Sequence, residues 1–186
     1  MNVRLRKLAT TAGPVLFTSA WLYLGSVKSE YSPIREPISR LAAKKAETRV
    51  PMSLGLASLA CSFHLFASGP ASRDVWSARL AHLVAWSTLG IALTPLDSQL
   101  GGVPHAVAAG VSYASLAALP ARQAWLHNHE GNRRACSVSL AVALGTAVPL
   151  VLSVRDTART GLWQRLGLIV GHSWMFVTAF RSTASL

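Results

Sequence analysis

The sequence predicts an all-α fold: a polytopic membrane bundle of six transmembrane helices with a short amphipathic helix in the first long loop. Three observations carry this. Hydrophobic residues make up 51% of the 186-residue chain and charged residues 13%, about half of the roughly 25% that a soluble domain carries. Mean hydropathy is +0.37. The charges are also unevenly placed, because long apolar stretches alternate with short segments that hold nearly all the Arg, Lys, Asp and Glu. A chain reads this way when lipid is its solvent. Six spans of about 20 residues use most of the length, so one integral membrane domain, residues 1–186, accounts for the chain.

The first span is expected over residues 10–27, after a basic start with Arg4, Arg6 and Lys7. Pro14 is tolerated in its opening turns, and Trp21 and Tyr23 lie near its far end, where amphipathic rings favour the interface. The apolar run is long for a signal peptide and no small-x-small cleavage site follows it, so it reads as a retained helix. Residues 28–49 form the one long polar segment. Within it Ile34, Ile38 and Leu41 recur at helical spacing among charged neighbours, which predicts an amphipathic helix on the membrane surface or folded back over the bundle.

The second span is expected at 50–68, with Pro51 in its first turn and Gly69-Pro70 ending it. The third covers 75–96 and leads into a turn from Asp97 to Gly102. The fourth, 103–125, is rich in Ala, Ser and Gly, which suits close packing in lipid. A polar loop from His127 to Arg134 precedes the fifth, 135–153. The loop Arg155–Thr160 leads to the sixth, 161–180, where Gly167 and Gly171 stand at small-xxx-small spacing.

The net charge of +11 fits basic residues flanking membrane helices, where they meet anionic headgroups and set topology. No basic stretch interleaves with aromatics as a nucleic-acid platform does, so no nucleic-acid partner is expected. The 18 basic residues divide equally between the two faces, and only the basic start favours a cell-membrane orientation with both termini in the cytoplasm. Cys61 and Cys136 sit inside apolar runs without metal or redox spacing and read as packing residues.

Six spans place loops one, three and five on one membrane face. That brings together Tyr31, Ser32 and Ser39 of loop one, Asp97 of loop three with His105 just beyond it, and Arg165 at the start of the sixth span. His172 lies two turns deeper than Arg165 on nearly the same helix face. As chemistry, Asp97 and His105 are candidate acid and base groups, since a carboxylate holding one imidazole nitrogen frees the other for proton transfer. Arg165, with His172, Tyr31, Ser32 and Ser39, is a candidate ligand-binding set, because guanidinium binds carboxylate or phosphate bidentately. As architecture, the same residues read as an Asp97–Arg165 brace between helix ends with His105 a satisfied interfacial residue.

His64 and His82 read as bundle-facing hydrogen-bonding groups, and His127 and His129 lack further ligands, so no metal is expected. Phosphate loops, nucleophile elbows and zinc-protease motifs are missing from the sequence, and no cofactor is expected. A continuous polar stripe or ring of acids, as in a channel, is likewise missing.

The run Tyr31-Ser32-Pro33-Ile34-Arg35-Glu36-Pro37-Ile38-Ser39-Arg40-Leu41-Ala42, then Pro95-Leu96-Asp97 with Gly102 and His105, then Gln164-Arg165 and Gly167, resembles a bacterial and archaeal membrane family catalogued as domain of unknown function number 998. The resemblance extends over about residues 14–180 and implies a six-helix integral membrane protein, with no activity attached. Pro37 departs from the family, whose members carry a small hydroxyl residue near that position. The functional expectation is a multi-pass protein that handles a lipid-phase amphiphile or isoprenoid-like molecule at one membrane face, with the bilayer and a hydrophobic small molecule as partners. The alternatives are an intramembrane enzyme using Asp97 and His105 on a lipid or isoprenoid, and a homo- or hetero-oligomeric structural subunit packed through the small-residue faces of the fourth and sixth spans.

Overall fold

The computed structural model describes residues 3–98 and 102–181. Among them the fold is all-helical, with six long helices, two 3-10 segments and no strand. Of the turn expected from Asp97 to Gly102, residues Gln99, Leu100 and Gly101 lie outside the described residues.

Helix α1 runs Val3–Val27, α2 Arg49–Ala67, α3 Val75–Leu93, α4 Val103–His129, α5 Arg133–Arg155 and α6 Thr160–Arg181. Local chemistry sets their ends. Asp74 caps α3 by accepting from the Ser77 amide at 2.8 Å, and Asn132 caps α5 by accepting from Ala135 at 3.1 Å. Helix α3 stops at Leu93, short of the expected end at residue 96 and before Pro95. Thr94 precedes that proline and has left helical geometry (φ −112°, ψ 79°), as a pre-proline residue is pushed to do. Helix α4 outlasts its expected end and stops only where Gly131 takes a left-handed φ of 71°.

The expected amphipathic helix of loop one is a single 3-10 segment, Ile38–Ala42, folded back over the bundle end. Ile38 and Leu41 are buried as the spacing predicts, but Ile34 is exposed. Prolines at 33 and 37 are the reason. Pro37 is extended (φ −66°, ψ 154°) and biases the preceding residue away from helix, so Ile34 cannot share a helical face with Ile38.

Each helix packs on the next in sequence, and α6 returns to α1 across the loosest seam of the ring. At the α1–α2 seam the Ser62 hydroxyl accepts from Gly13 N at 2.9 Å and donates to Ala9 O at 2.8 Å, inserting into the α1 ladder just before Pro14. Large apolar side chains lie on the outside of the helices as well as in the core, and polar side chains are buried among the apolar ones. Thr10, Ser62, Thr88, Ser112, Gln123, Thr146 and His172 are buried, while Leu22, Leu54, Trp86, Val107, Leu144, Val151 and Ile169 point outward. By length and composition, α2 and α5 are apolar enough to cross a membrane, with mean hydropathy of 1.5 and 2.1 over their most apolar stretch.

Candidate functional site

The site forms where loop one meets the first turns of α6. Gly161 leaves room for the loop, since a Cβ there would lie 2.5 Å from the Pro33 carbonyl oxygen. Leu162 N then donates to Ile34 O at 3.0 Å, and two successive side chains complete the junction. Gln164 Oε1 accepts from Ile38 N at 2.7 Å while its amide nitrogen donates to the Tyr113 hydroxyl. Arg165 Nη1 donates to Pro33 O at 2.6 Å, Gly161 O at 2.8 Å and Glu36 O at 3.2 Å, and Nη2 donates to the Tyr31 hydroxyl. Its guanidinium also stands 5.2 Å from the Trp21 ring centre and 5.5 Å from that of Tyr31, within cation–π range.

These contacts define what Arg165 does in the fold. Two of its nitrogens are committed to backbone oxygens and a phenol, no carboxylate among the described residues pairs with it, and its Nε is buried without a hydrogen-bond partner. Burial pushes the Tyr31 hydroxyl above its ordinary pKa, even though the charge and hydrogen bond of Arg165 pull the other way. The Tyr31 phenol therefore stays protonated and donates toward Glu36 O and Pro37 O at 3.3 and 3.2 Å.

Beneath the 3-10 segment lies a narrow interior cavity of about 40 Å³, room for one or a few water-sized groups. Ser39, Thr88, His105, Ser112, Tyr113, Gln164 and His172 line it, together with apolar side chains such as Phe17, Met52 and Leu168. His105 Nδ1 lies 2.7 Å from Thr94 O. A carbonyl can only accept, so Nδ1 is the donor, and in the tautomer that carries its one proton there Nε2 is an acceptor. Tyr113 accepts from Gln164, which leaves its own O–H free to donate. His172 makes edge and tilted contacts with Phe17 and Phe63, at 5.7 and 6.0 Å between ring centres.

The structure thus brings three of the expected residues, Ser39, His105 and His172, around one cavity. Tyr31 and Arg165 meet in the junction beside it. Ser32 lies in the turn before the junction, where its amide donates to Glu36 Oε2 at 2.9 Å. Asp97 is exposed and accepts from Lys44 N at 2.6 Å, a bond that holds its carboxyl below the ordinary range. No hydrogen bond joins Asp97 to His105, and the expected Asp97–Arg165 brace is not formed among the described residues; loop one intervenes and takes both groups for its own backbone.

Thr88, Ser112, Tyr113 and Gln164 are cavity residues that sequence reasoning passed over. Gln164, Leu168 and His172 stand at i, i+4, i+8, a helical stripe that spacing alone could have revealed. His64 and His82 meet each other, Nδ1 to Nδ1 at 2.9 Å, with Trp86 edge-on to His64 at 4.8 Å, and no group of three metal-ligating side chains occurs among the described residues.

The opposite end of the bundle is held by charge. Asp74 Oδ2 accepts from Arg122 Nε at 3.0 Å and Nη2 at 2.5 Å. Burial alone would raise the Asp74 pKa, but hydrogen bonds from Ser77 and Arg122 outweigh it and hold the carboxyl down to about 2. Arg73, with a left-handed φ of 64°, joins Glu130, His127 and Gln123.

A family model described as a protein of unknown function, DUF998, matches residues 11–181. No curated protein and no solved structure matches the chain.

Proposed function

This chain belongs to the DUF998 family of proteins of unknown function, and from that footing we propose that it is a small multi-pass protein of the cell membrane, both termini cytoplasmic, which binds the polar end of a lipid-phase amphiphile in the cavity beneath loop one. One observation supports the reading: large apolar side chains face outward on every helix while polar side chains are buried within the apolar core, and several of those polar groups line a cavity roofed by the 3-10 segment. Exposed Leu, Val, Ile and Trp on all six helices suit lipid contact, and far exceed the scattered apolar residues of a soluble surface. The single-helix hydropathy of α2 and α5 supports the same placement.

The acid–base alternative has less behind it, since Asp97 and His105 are each bonded to a different backbone group. Lipid analysis of the purified protein tests the binding reading. One lipid class should be enriched over the bulk extract and lost from Ala109→Phe, which fills the cavity wall. An identical lipid profile from the two proteins, at equal folded yield, would sink the proposal.

A further inference from the structure

Resting on that reading, we propose that the occupant is a long-chain alcohol: a single apolar chain held between α1 and α6, with an uncharged hydroxyl end turned inward at His172. A groove of about 400 Å³ opens along the α1–α6 seam, floored by Pro14, Val15, Thr18, Ile169 and Phe176. That volume lies within the roughly 300–1,000 Å³ typical of small-molecule sites, whereas the interior cavity of about 40 Å³ takes only a small polar tip. His172 belongs to the walls of both spaces, the one side chain among the described residues that groove and cavity share. This seam is also the loosest in the ring, which makes it the least costly place for a chain to slip in from the bilayer.

The chemistry of the end group follows from what the cavity offers. His105 Nε2 accepts and the Tyr113 O–H donates, a complementary pair for a hydroxyl, which both donates and accepts. No Asp, Glu, Lys or Arg lines either space among the described residues. The neighbouring cation, Arg165, spends its Nη donors on loop one and on Gly161 O, and it lines neither space. A carboxylate or phosphate entering here would therefore be a buried, unpaired anion, which a low-dielectric site disfavours strongly.

The test uses the full chain in phosphatidylcholine nanodiscs with three photoreactive probes of equal chain length: a primary alcohol, the corresponding fatty acid and the alkyl phosphate. The alcohol should crosslink to residues 14–19 and 169–177, by about tenfold or more over the two anions, a difference in occupancy easily resolved. Ser173→Phe, at an exposed groove position, should remove most of that labelling at unchanged membrane yield. Tyr113→Phe should erase the preference for alcohol while leaving the groove labelled. Equal labelling by all three probes overturns the uncharged end group, and labelling confined to loop one overturns lateral entry. Complete absence of specific labelling by any probe overturns the binding reading itself. Comparing straight-chain with polyisoprenoid alcohols then identifies the chain type.

Discussion

Arg165 Nη1 donates to the Pro33 carbonyl oxygen at 2.6 Å, so a buried cation in the last helix is solvated by the backbone of the first loop. Carbonyl oxygens do here what a carboxylate would do in an ion pair. The arrangement depends on the planar fork of guanidinium, which reaches several oxygens at once. Arg165→Lys keeps the charge and loses the fork. It should destabilise the protein by about 2–4 kcal/mol, the scale of losing several charge-assisted bonds at a buried group. Unfolding in detergent and limited proteolysis of residues 28–49 report it, and an unchanged melt with an unchanged cleavage rate would refute the junction's importance.

Gly161→Ala gives a prediction whose sign is informative. In an exposed helix alanine is favoured over glycine by about 1 kcal/mol. At position 161 the added Cβ would meet Pro33 O at 2.5 Å and Arg165 Nη1 at 2.7 Å, so loop one must lift. The variant should melt lower than wild type and expose the loop to protease. A higher melting temperature would show that the loop tolerates displacement.

Acid stability should depend on Asp74. Its pKa is held at about 2, below the ordinary 3.8. A depressed carboxylate stabilises the fold above its unfolded pKa, and that contribution is lost as pH falls from about 4 toward 2. Asp74→Asn retains a good helix cap and removes only the charge facing Arg122. At pH 7 it should cost about 1–2 kcal/mol, between the values for exposed and buried pairs. The gap between variant and wild type should shrink below pH 4. A gap that stays constant down to pH 2 would mean the carboxylate charge is not what stabilises.

The six-span arrangement is checked by cysteine accessibility in a Cys61→Ser, Cys136→Ser background, since Cys61 is exposed and Cys136 half-buried. Single cysteines at 40 and 157 should label from one side, and those at 73 and 131 from the other. Mixed labelling within either pair contradicts the topology.

The helices were legible because apolar runs and Pro/Gly punctuation are local signals. Pro51, Pro95 and Gly102 mark boundaries that spacing alone identifies. The shared placement of Ser39, His105 and His172 near one another also followed from counting spans. The roles did not. Gln164 and Arg165 are neighbours in sequence, yet Gln164 lines the cavity and Arg165 serves the loop. The four-residue spacing of Gln164, Leu168 and His172 marks the inward stripe of α6, but what each polar neighbour meets there depends on how distant segments pack and leaves no local trace. Loop one misled for a related reason. Its apolar spacing is helical, but Pro33 and Pro37 deny it a helix, and backbone oxygens freed by that irregularity became the ligands of Arg165.

The distance in sequence between loop one and α6 also orders the protein's biogenesis. Arg165 is made 132 residues after Pro33. At about 5–20 residues added per second, synthesis leaves the two apart for several seconds or more. Through that interval the carbonyls of residues 33 and 36 lack the Arg165 guanidinium. The sixth helix therefore acts as the clasp of the whole bundle. A nascent chain stalled before residue 161 should expose loop one to a quality-control protease that the finished protein resists.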